Sequence, residues 1–338
     1  MKVLVTGGCG FIGQHVVHML VMRYGRSKVW VLDLRTEVAT GWDEVQRLVG
    51  DQLLLGNVCE YRDLKHIFNY QKPDVVLHLA AQSHVDKSLE DPASTMRSNA
   101  VGTQVVAAIC AEHDVPLVYC STDEVYGDSL EENGTVKCKF ESDPLFPSSP
   151  YSAGKAGGEL AVRAAARSLG LKYAITRGCN AFGEGQYPEK LVPIACRLLQ
   201  QGRSVPLHGG GEQLRQWIHV SEFAERLIFV AEMLVDEAIE NETYNLAGPV
   251  LISVRDLVEK IAQVAGFEGE FAVETKDRPG QDKAYSVDGS KIIDDLLINP
   301  PMIRIDDPDV LQSLLDHYGA SKEIKLASYV ESLPREQA

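Results

Sequence analysis

The sequence lacks several features that would define other classes of protein. It has no run of about 18 apolar residues, which excludes a transmembrane helix. Basic residues are few: 33 Lys and Arg stand against 48 Asp and Glu, for a formal net charge of −15. This balance argues against a general binder of nucleic acid or of anionic membranes. A strand pattern begins directly after Met1 and Lys2, so we expect no signal peptide.

Paired cysteines and metal-ligand patterns are also missing. The seven cysteines are scattered and include no CxxC, which is typical of free thiols in a reducing cytoplasm. His15 and His18 share one helix face, but no further ligand has suitable spacing, so we expect no metal site. Cys9 is interpreted as a small filler residue, the alternative being a redox switch beside a ligand.

The pattern that is present indicates an α/β protein with a large core, since 45% of the 338 residues are hydrophobic. Short β-rich runs alternate with helical stretches over 13–24, 100–114 and 151–169. The runs are KVLVTGG, VWVLDL, LLLGNV, DVVLHLAA, PLVYCST and YAITRGC. Apolar strands separated by helices predict a Rossmann-type, doubly wound parallel sheet.

After Cys179 this rhythm breaks, and GEGQYPEK, HGGGEQ and KDRPGQD are typical of ligand-facing loops. YNLAG, near residue 244, indicates a further core strand. A helix is predicted next, capped by Ser253 and ended by Gly266. We therefore predict one domain from 1–180 plus about 217–247, with a smaller interleaved α/β lobe from about 181–216 plus 248–338.

The opening loop, VLVTGGCGFIG, places glycines between a strand and a helix. Gly8, Gly10 and Gly13 satisfy GxGxxG, and Gly7 supplies the first glycine of the overlapping GxxGxxG. A pyrophosphate can rest on the N-terminus of the following helix. Asp33 closes the second strand, 20 residues after Gly13, where it can accept from ribose hydroxyls.

These features favour NAD over NADP as a bound cofactor. A tight turn alone would also explain the glycines, but it would not explain the strand, the helix and Asp33 together. Arg35 could in principle meet a 2′-phosphate, although a solvated charge at the rim is the simpler interpretation. The first domain is therefore predicted to bind NAD.

A Tyr and a Lys in YSAGK lie four residues apart on one helix face. The Lys155 ammonium would lower the pKa of the Tyr151 phenol, which could then exchange a proton with a sugar hydroxyl. Alone this pairing is common. With the dinucleotide loop upstream and Thr122 at a strand end, these residues resemble the extended branch of the short-chain dehydrogenase/reductase superfamily, in which such a hydroxyl and Tyr hold the reacting oxygen.

Two adjacent acids, Asp123 and Glu124, follow Thr122 where the strand leaves the core. Neighbouring carboxylates in a half-buried site need not titrate alike, so one can stay protonated while the other is ionised. Loss of water needs such a pair: a base for a C–H proton and an acid for the leaving hydroxyl. The alternative reading is a helix N-terminus stabilised by acids.

Several motifs in order carry a resemblance to a known family. STDEVYG, AAQSHVDKSL, NAVGT, YSAGKAGGE, GQYPEKLVP, RQWIHV and DRPGQD resemble the nucleoside-diphosphate-glucose 4,6-dehydratases, within the extended short-chain dehydrogenase/reductase superfamily. The resemblance covers roughly residues 1 to 290. It implies a hydro-lyase that forms a 4-keto-6-deoxy sugar nucleotide, with NAD retained between turnovers. It also implies a homodimer joined through a four-helix bundle near 100–114 and 151–169.

The resemblance implies a role for each matching residue. Tyr151, helped by Lys155 and Thr122, takes the C4 hydroxyl proton; Glu124 removes the C5 proton and Asp123 protonates the C6 hydroxyl. The implied NAD contacts are Gly7, Gly10, Phe11, Ile12, Gly13, Asp33, Asn57, Val58, Ala80, Ala81, Ser83, Asn99, Tyr151 and Lys155. The implied substrate contacts are Ser83, His84, Thr122, Asn180, Lys190, Leu191, Arg215, Asn245, Arg278 and Tyr285.

Four positions depart from the family pattern. Asn57 stands where Asp is usual beside the adenine, and its amide oxygen can still accept from the adenine amine. Gly154 replaces a common Ser, and Gln281 replaces the usual His. Ala284 replaces the usual Arg, which removes a possible phosphate contact.

Two other functions stay open at the level of sequence. A 4-epimerase or a decarboxylase would use the same NAD, Tyr and Lys without needing the two acids. A catalytically idle NAD-binding protein would be expected to have lost one of these residues, and all are present. The nucleotide is also open, because thymine and uracil differ by one methyl group, worth about 1–3 kcal/mol.

Overall fold

A computed structural model describes residues 1–277 and 279–319. This part of the chain contains 13 strands and 12 α-helices. The strands are β1 (Val3–Thr6), β2 (Val29–Asp33), β3 (Leu53–Leu55), β4 (Val75–His78), β5 (Leu117–Thr122), β6 (Tyr173–Gly178), β7 (Asn180–Phe182), β8 (Val205–His208), β9 (Leu214–His219), β10 (Glu242–Leu246), β11 (Val250–Ser253), β12 (Ala272–Thr275) and β13 (Ala284–Tyr285).

The helices connect these strands and cover the sheets. They are α1 (Phe11–Tyr24), α2 (Trp42–Val49), α3 (Tyr61–Gln71), α4 (Val85–Glu90), α5 (Pro92–Met96), α6 (Gly102–Glu112), α7 (Pro150–Leu169), α8 (Leu191–Gln200), α9 (Val220–Val235), α10 (Val254–Val264), α11 (Ser290–Leu296) and α12 (Pro308–Gly319). A π-helical turn, Arg97–Val101, joins α5 to α6. Across the described ranges, every helix is too short or too polar to cross a bilayer.

The main sheet confirms the predicted doubly wound architecture. Among the described residues it has seven parallel strands in the order β10-β6-β5-β4-β1-β2-β3. The chain runs outward from β1 to β3 and then returns to the other side of β1. The loops after β1 and β4 therefore diverge at the carboxyl edge and open a crevice, the usual ligand site of open α/β sheets.

Both faces of this sheet are buried, as its apolar strands require. Helices α1 and α9 pack on one face, where Val16, Leu20, Leu227 and Ala231 join the core. Helices α3, α6 and α7 cover the other face, and Val162 of α7 lies within that core. Because α7 begins at the carboxyl edge, its first turn lies beside the end of β5.

The second lobe contains a sheet of β7, β9, β11 and β13 and a separate β8–β12 pair. Its core is formed by α8, α10 and α12. The structure confirms the helix predicted after Ser253, whose Oγ accepts from the Asp256 N–H at 2.9 Å. It differs from the predicted division at α11, because Ile292 and Leu296 pack into the core of the main sheet.

Candidate active site

The glycine loop fits a closely approaching pyrophosphate. Gly7 has φ +73°, and a Cβ there would lie 2.5 Å from the backbone N of Ala80. A Cβ on Gly13 would lie 2.2 Å from the Gly7 oxygen, so glycine is required for α1 to approach the loop. Phe11 and Ile12 form the first turn of α1, which has no side-chain cap and no acid. Its N–H groups can therefore serve an anion.

Asp33 lies at the end of β2, beside this loop. Its Oδ2 accepts from the Cys9 N–H at 2.7 Å, and burial raises the pKa of the carboxyl. Cys9 is fully buried, and burial followed by the Asp33 charge raises the pKa of its thiol. This supports the filler interpretation over a redox switch. The Arg35 guanidinium lies 5.4 Å from the Trp42 ring centroid, at the exposed rim.

The remaining predicted NAD residues line the same edge in different ways. Ala80 and Ala81 are half-buried after β4, and Val58 is buried after β3. The Asn57 Oδ1 already accepts from the Cys59 N–H at 2.9 Å. Asn99 is buried and clasps the backbone of Gln82, with bonds of 2.7 and 3.0 Å. Asn99 therefore braces the loop after β4. A direct contact of Asn99 with NAD stays a prediction.

Tyr151 lies in the first turn of α7, where a capping box fixes the helix start. Ser149 and Ser152 exchange the side-chain and backbone bonds of that box, and Pro150 stands at N1. Lys155, one turn later, is buried and its ammonium donates to the Cys120 carbonyl at the end of β5.

The structure does not show the lowered pKa that was expected for Tyr151. Burial, followed by the Glu124 charge, raises the pKa of the Tyr151 phenol well above its ordinary value. The hydrogen bond to Thr122 opposes the rise. Burial lowers the pKa of Lys155 itself. The sequence showed the spacing of Tyr151 and Lys155 but not their burial away from solvent.

The two acids form a short 3₁₀ turn at the end of β5. The Thr122 hydroxyl accepts from the Glu124 N–H at 3.4 Å and donates to Asp123 Oδ1 at 3.3 Å. Asp123 is only 2% exposed, and its Oδ2 has no hydrogen-bond partner among the described residues. Burial and then the Glu124 charge raise the pKa of Asp123 to about 7, against an opposing effect of Arg215. One member of the pair is thus held partly protonated at neutral pH.

Two predicted substrate residues from the second lobe lie close to these acids. The Arg215 guanidinium stacks on the Tyr285 ring, 4.3 Å from its centroid. The Arg215 charge reaches Asp123, and the Glu124 charge helps raise the pKa of Tyr285 after burial. The second lobe therefore places the Arg215 guanidinium close to Asp123 and Glu124.

A second group of predicted residues meets across the cleft. The Lys190 ammonium donates to the Ser83 carbonyl at 3.3 Å, and Lys190 stands at the N-cap position of α8, which begins at Leu191. His84 packs edge-on against Tyr187, with ring centroids 5.0 Å apart. Burial and then the Lys190 charge lower the pKa of His84 to about 4. We therefore treat the His84 ring as neutral, and its 3.6 Å contact with Glu189 as no ion pair.

Three further predicted substrate residues have different outcomes. Asn180 is half-buried at the start of β7, paired with Trp217 of β9. Asn245 is fully buried: its Oδ1 accepts from the Tyr126 hydroxyl and its Nδ2 donates to the Lys139 carbonyl. The structure does not bring it to the site surface. Arg278 lies outside the described residues.

Sequence reasoning missed a buried ion pair directly behind the acids. Glu159 of α7 and Arg177 of β6 are almost fully buried, with Nη2 and Oε2 2.7 Å apart. Glu159 also accepts from the Ser121 hydroxyl at 2.7 Å, and Arg177 donates to the Tyr126 hydroxyl at 2.7 Å. Ser121 and Tyr126 bracket the acid turn, so the pair fixes both of its ends.

A sequence signal for this pair existed. Arg177 is the one charge in the apolar strand YAITRG, and a buried charge requires a partner. Glu159 lies four residues after Lys155 and eight after Tyr151, on the same face of α7. Among the described residues, no three His, Cys, Asp or Glu side chains converge as metal ligands.

The family comparison agrees with this geometry. Residues 3–247 match the model of the NAD dependent epimerase/dehydratase family. The chain belongs to this family. The matched range covers the whole main sheet and every candidate catalytic residue considered above, and it accounts for the glycine loop as a dinucleotide site.

Within the family, similar curated proteins share one name. A dTDP-glucose 4,6-dehydratase from Neisseria meningitidis serogroup B is 36% identical over 322 residues, covering 87% of each chain. The dTDP-glucose 4,6-dehydratase 1 of Escherichia coli K12 is 35% identical over 318 residues, covering 86% of each.

Solved structures extend the similarity to the whole fold. A double mutant of dTDP-glucose 4,6-dehydratase from Streptomyces venezuelae, with NAD bound, aligns with a TM-score of 0.85 at 32% identity, covering 95% of this chain and 98% of that one. UDP-glucose 4-epimerase from Thermus thermophilus, in complex with NAD, aligns with a TM-score of 0.81 at 26% identity, covering 95% of this chain and 100% of that one. The fold is therefore shared by dehydratases and epimerases of the family.

Proposed function

We propose that this chain is an NAD-dependent nucleoside-diphosphate-glucose 4,6-dehydratase, which converts dTDP- or UDP-glucose into the 4-keto-6-deoxy sugar nucleotide. The observation that carries the proposal is the state of Asp123. This acid is buried beside Thr122 and Glu124, has a pKa of about 7 and leaves one carboxyl oxygen unpartnered among the described residues. Such a group can donate a proton to a leaving hydroxyl at neutral pH.

The first half of the proposed reaction uses Tyr151 and Thr122 at the C4 hydroxyl. NAD bound at the glycine loop would supply the redox chemistry, as acceptor and then donor of one hydride, and the positive charge of its oxidised form would favour the Tyr151 phenolate. Tyr151 takes the hydroxyl proton, and Thr122 fixes the reacting oxygen. Lys155, held against the end of β5, would face the ribose of the cofactor.

The second half is the loss of water across C5 and C6. The new C4 ketone makes the C5–H acidic, and Glu124 removes that proton. Asp123 gives its proton to the C6 hydroxyl as the C–O bond breaks and water leaves. Glu124 can then return its proton to C5, and transfer of the hydride back to C6 would leave the cofactor in its starting oxidation state. Arg215 is the proposed counter-charge for the diphosphate.

The acids distinguish this function from 4-epimerisation, which shares the fold. An epimerase needs the NAD, Tyr and Lys set but no acid for a departing hydroxyl. Burial of the partly protonated Asp123 lowers the stability of the fold. A role as the acid in dehydration would explain why the residue is present despite this cost.

Two variants test the assignment. Asp123→Asn and Glu124→Gln should each lower formation of the 4-keto-6-deoxy product by about 100-fold or more, the range of general acid–base catalysis. Both should retain bound NAD, and mixing with substrate should still produce the near-ultraviolet absorbance of NADH. Dehydration that persists at wild-type rates in both variants would contradict the roles given to these acids.

We also propose that the chain acts as a homodimer in the cytoplasm. Val101 before α6 and Leu160 of α7 are large apolar residues that stay 51% and 61% exposed, on the helices expected to form a four-helix bundle. All seven cysteines are free thiols. Light scattering with Leu160→Glu tests the dimer: the variant should be monomeric if this face is the interface.

The proposed division of labour follows the two cores. The main-sheet lobe, about 1–180 and 217–247 together with α11, is proposed to hold NAD. The smaller lobe, built on β7, β8, β9, β11, β12 and β13, is proposed to hold the sugar nucleotide.

A further inference from the structure

Asp282 makes contacts with both lobes that none of the steps above uses. Its carboxylate is buried, and its two oxygens have different partners. Oδ2 accepts from the Tyr285 hydroxyl at 2.8 Å, within the second lobe. Oδ1 accepts from the Ser148 hydroxyl at 2.8 Å, in the loop that leads into α7. The backbone carbonyl of Asp282 also accepts from Arg215 at 2.9 Å.

The loop that carries Asp282 lies directly against the Ser148 backbone. Gly280 has φ +67°, and a Cβ there would lie 2.7 Å from the Ser148 carbonyl oxygen. This approach leaves no room for a side chain, and the contact is therefore part of the fold. Ser148 is one residue before the N-cap Ser149 and three before Tyr151.

We propose that Asp282 is a positioning residue, which joins the nucleotide-binding elements of the second lobe to the start of α7 through its bond to Ser148. The inference rests on the proposed function, because it is the diphosphate that would engage Arg215. Binding at Arg215 and Tyr285 then fixes Asp282, which in turn fixes the capping loop that sets the Tyr151 phenol. The bound nucleotide and the Tyr151 phenol are thereby held at a fixed position relative to each other.

Breaking the bond between Asp282 and Ser148 is expected to lower kcat more than it weakens nucleotide binding. A reacting group displaced by about 1 Å can cost about 100-fold in rate. Within the described residues the Ser148 side chain bonds Asp282 and makes no hydrogen bond to Arg215 or Tyr285, so its removal should leave the diphosphate site intact. Ser148→Ala is therefore the sharper variant, and Asp282→Ala is its counterpart on the other side of the bond.

Ser129→Ala is a matched control. The Ser129 hydroxyl bonds the backbone of Ser286 at 3.3 and 3.2 Å, so it joins the same two stretches of chain without touching the α7 loop. For each variant we would measure kcat and KM, the Kd of dTDP and of UDP, the unfolding midpoint, and amide hydrogen exchange of residues 149–153.

Ser148→Ala and Asp282→Ala should lower kcat about 10- to 100-fold, and Ser148→Ala should keep the nucleotide Kd within about threefold. Ser148→Ala and Asp282→Ala should both speed amide hydrogen exchange over residues 149–153. Ser129→Ala should change neither kcat nor the exchange of these residues. An unchanged kcat in Ser148→Ala would overturn the proposal, as would a loss that follows the nucleotide Kd or the unfolding midpoint. Hydrogen exchange needs no turnover, so it tests the positioning role even if the wild-type protein forms no dehydration product.

Discussion

Replacing Asp123 by Asn is expected to raise the free energy of unfolding relative to the wild type, by an amount that grows as the pH rises. The carboxyl is buried, one of its oxygens lacks a partner among the described residues, and Glu124 lies beside it. All three conditions penalise the charged form. Asn has nearly the same shape and cannot ionise, so the variant removes the penalty and keeps the packing.

The magnitude follows from the shift of the Asp123 pKa from 3.8 to about 7. Below about pH 4 the folded and unfolded chains both hold the proton. Between about pH 4 and 7 only the unfolded chain loses it, so the free energy of unfolding falls as the pH rises, and above about pH 7 the fall levels off. The whole shift corresponds to about 4 kcal/mol, of which about 2–3 kcal/mol falls between about pH 5 and pH 8.

Urea denaturation of the wild type and of Asp123→Asn at several pH values measures this difference directly. The advantage of the variant should grow by about 2–3 kcal/mol from about pH 5 to pH 8. Glu132→Gln, which alters an exposed acid in the loop after the turn, should show no such trend. A difference that stays flat over this range would show that Asp123 is not held protonated, and it would remove the main support for its role as the acid.

Four other substitutions have defined expectations. Glu159→Gln and Arg177→Met each leave one buried partner unpaired and should lower the free energy of unfolding by about 3–5 kcal/mol, whereas a loss below about 1 kcal/mol would show that the pair is not coupled. Leu297 is 91% exposed and has φ 53° at the end of α11, a left-handed conformation that is strained for leucine. Leu297→Gly should therefore raise the free energy of unfolding by about 1 kcal/mol, and a lower urea midpoint in the variant would show that this strain is absent. Gly13→Ala should remove co-purified NAD, since the new Cβ meets backbone at 2.2 Å; NAD content equal to wild type would contradict the proposed cradle.

Much of the fold could be predicted because its signals are local. Apolar strands, glycines at one strand–helix junction and caps such as Ser253 depend on neighbouring residues, and the structure confirms them. The acid turn was also predictable, since Asp123 and Glu124 follow an apolar strand directly. The boundary at α11 was not, because it depends on which core Ile292 and Leu296 reach.

What the sequence could not predict depends on burial and on distant partners. The spacing of Tyr151 and Lys155 suggested a lowered phenol pKa, but burial dominates and raises it. The family resemblance implied a substrate contact for Asn245, yet the hydrogen bonds of this residue are all internal. The bond between Asp282 and Ser148 spans 134 residues, and no local pattern encodes such a contact.

The most direct test of the proposed function is the reaction of purified protein with dTDP-glucose and, separately, UDP-glucose, with no NAD added. The product would be followed by its alkali-induced ultraviolet absorbance and by mass spectrometry. Loss of one water from at least one substrate is the expected result, and it would also show that NAD co-purifies. Conversion without a change in mass, to the galactose form, would identify an epimerase and contradict the dehydratase function.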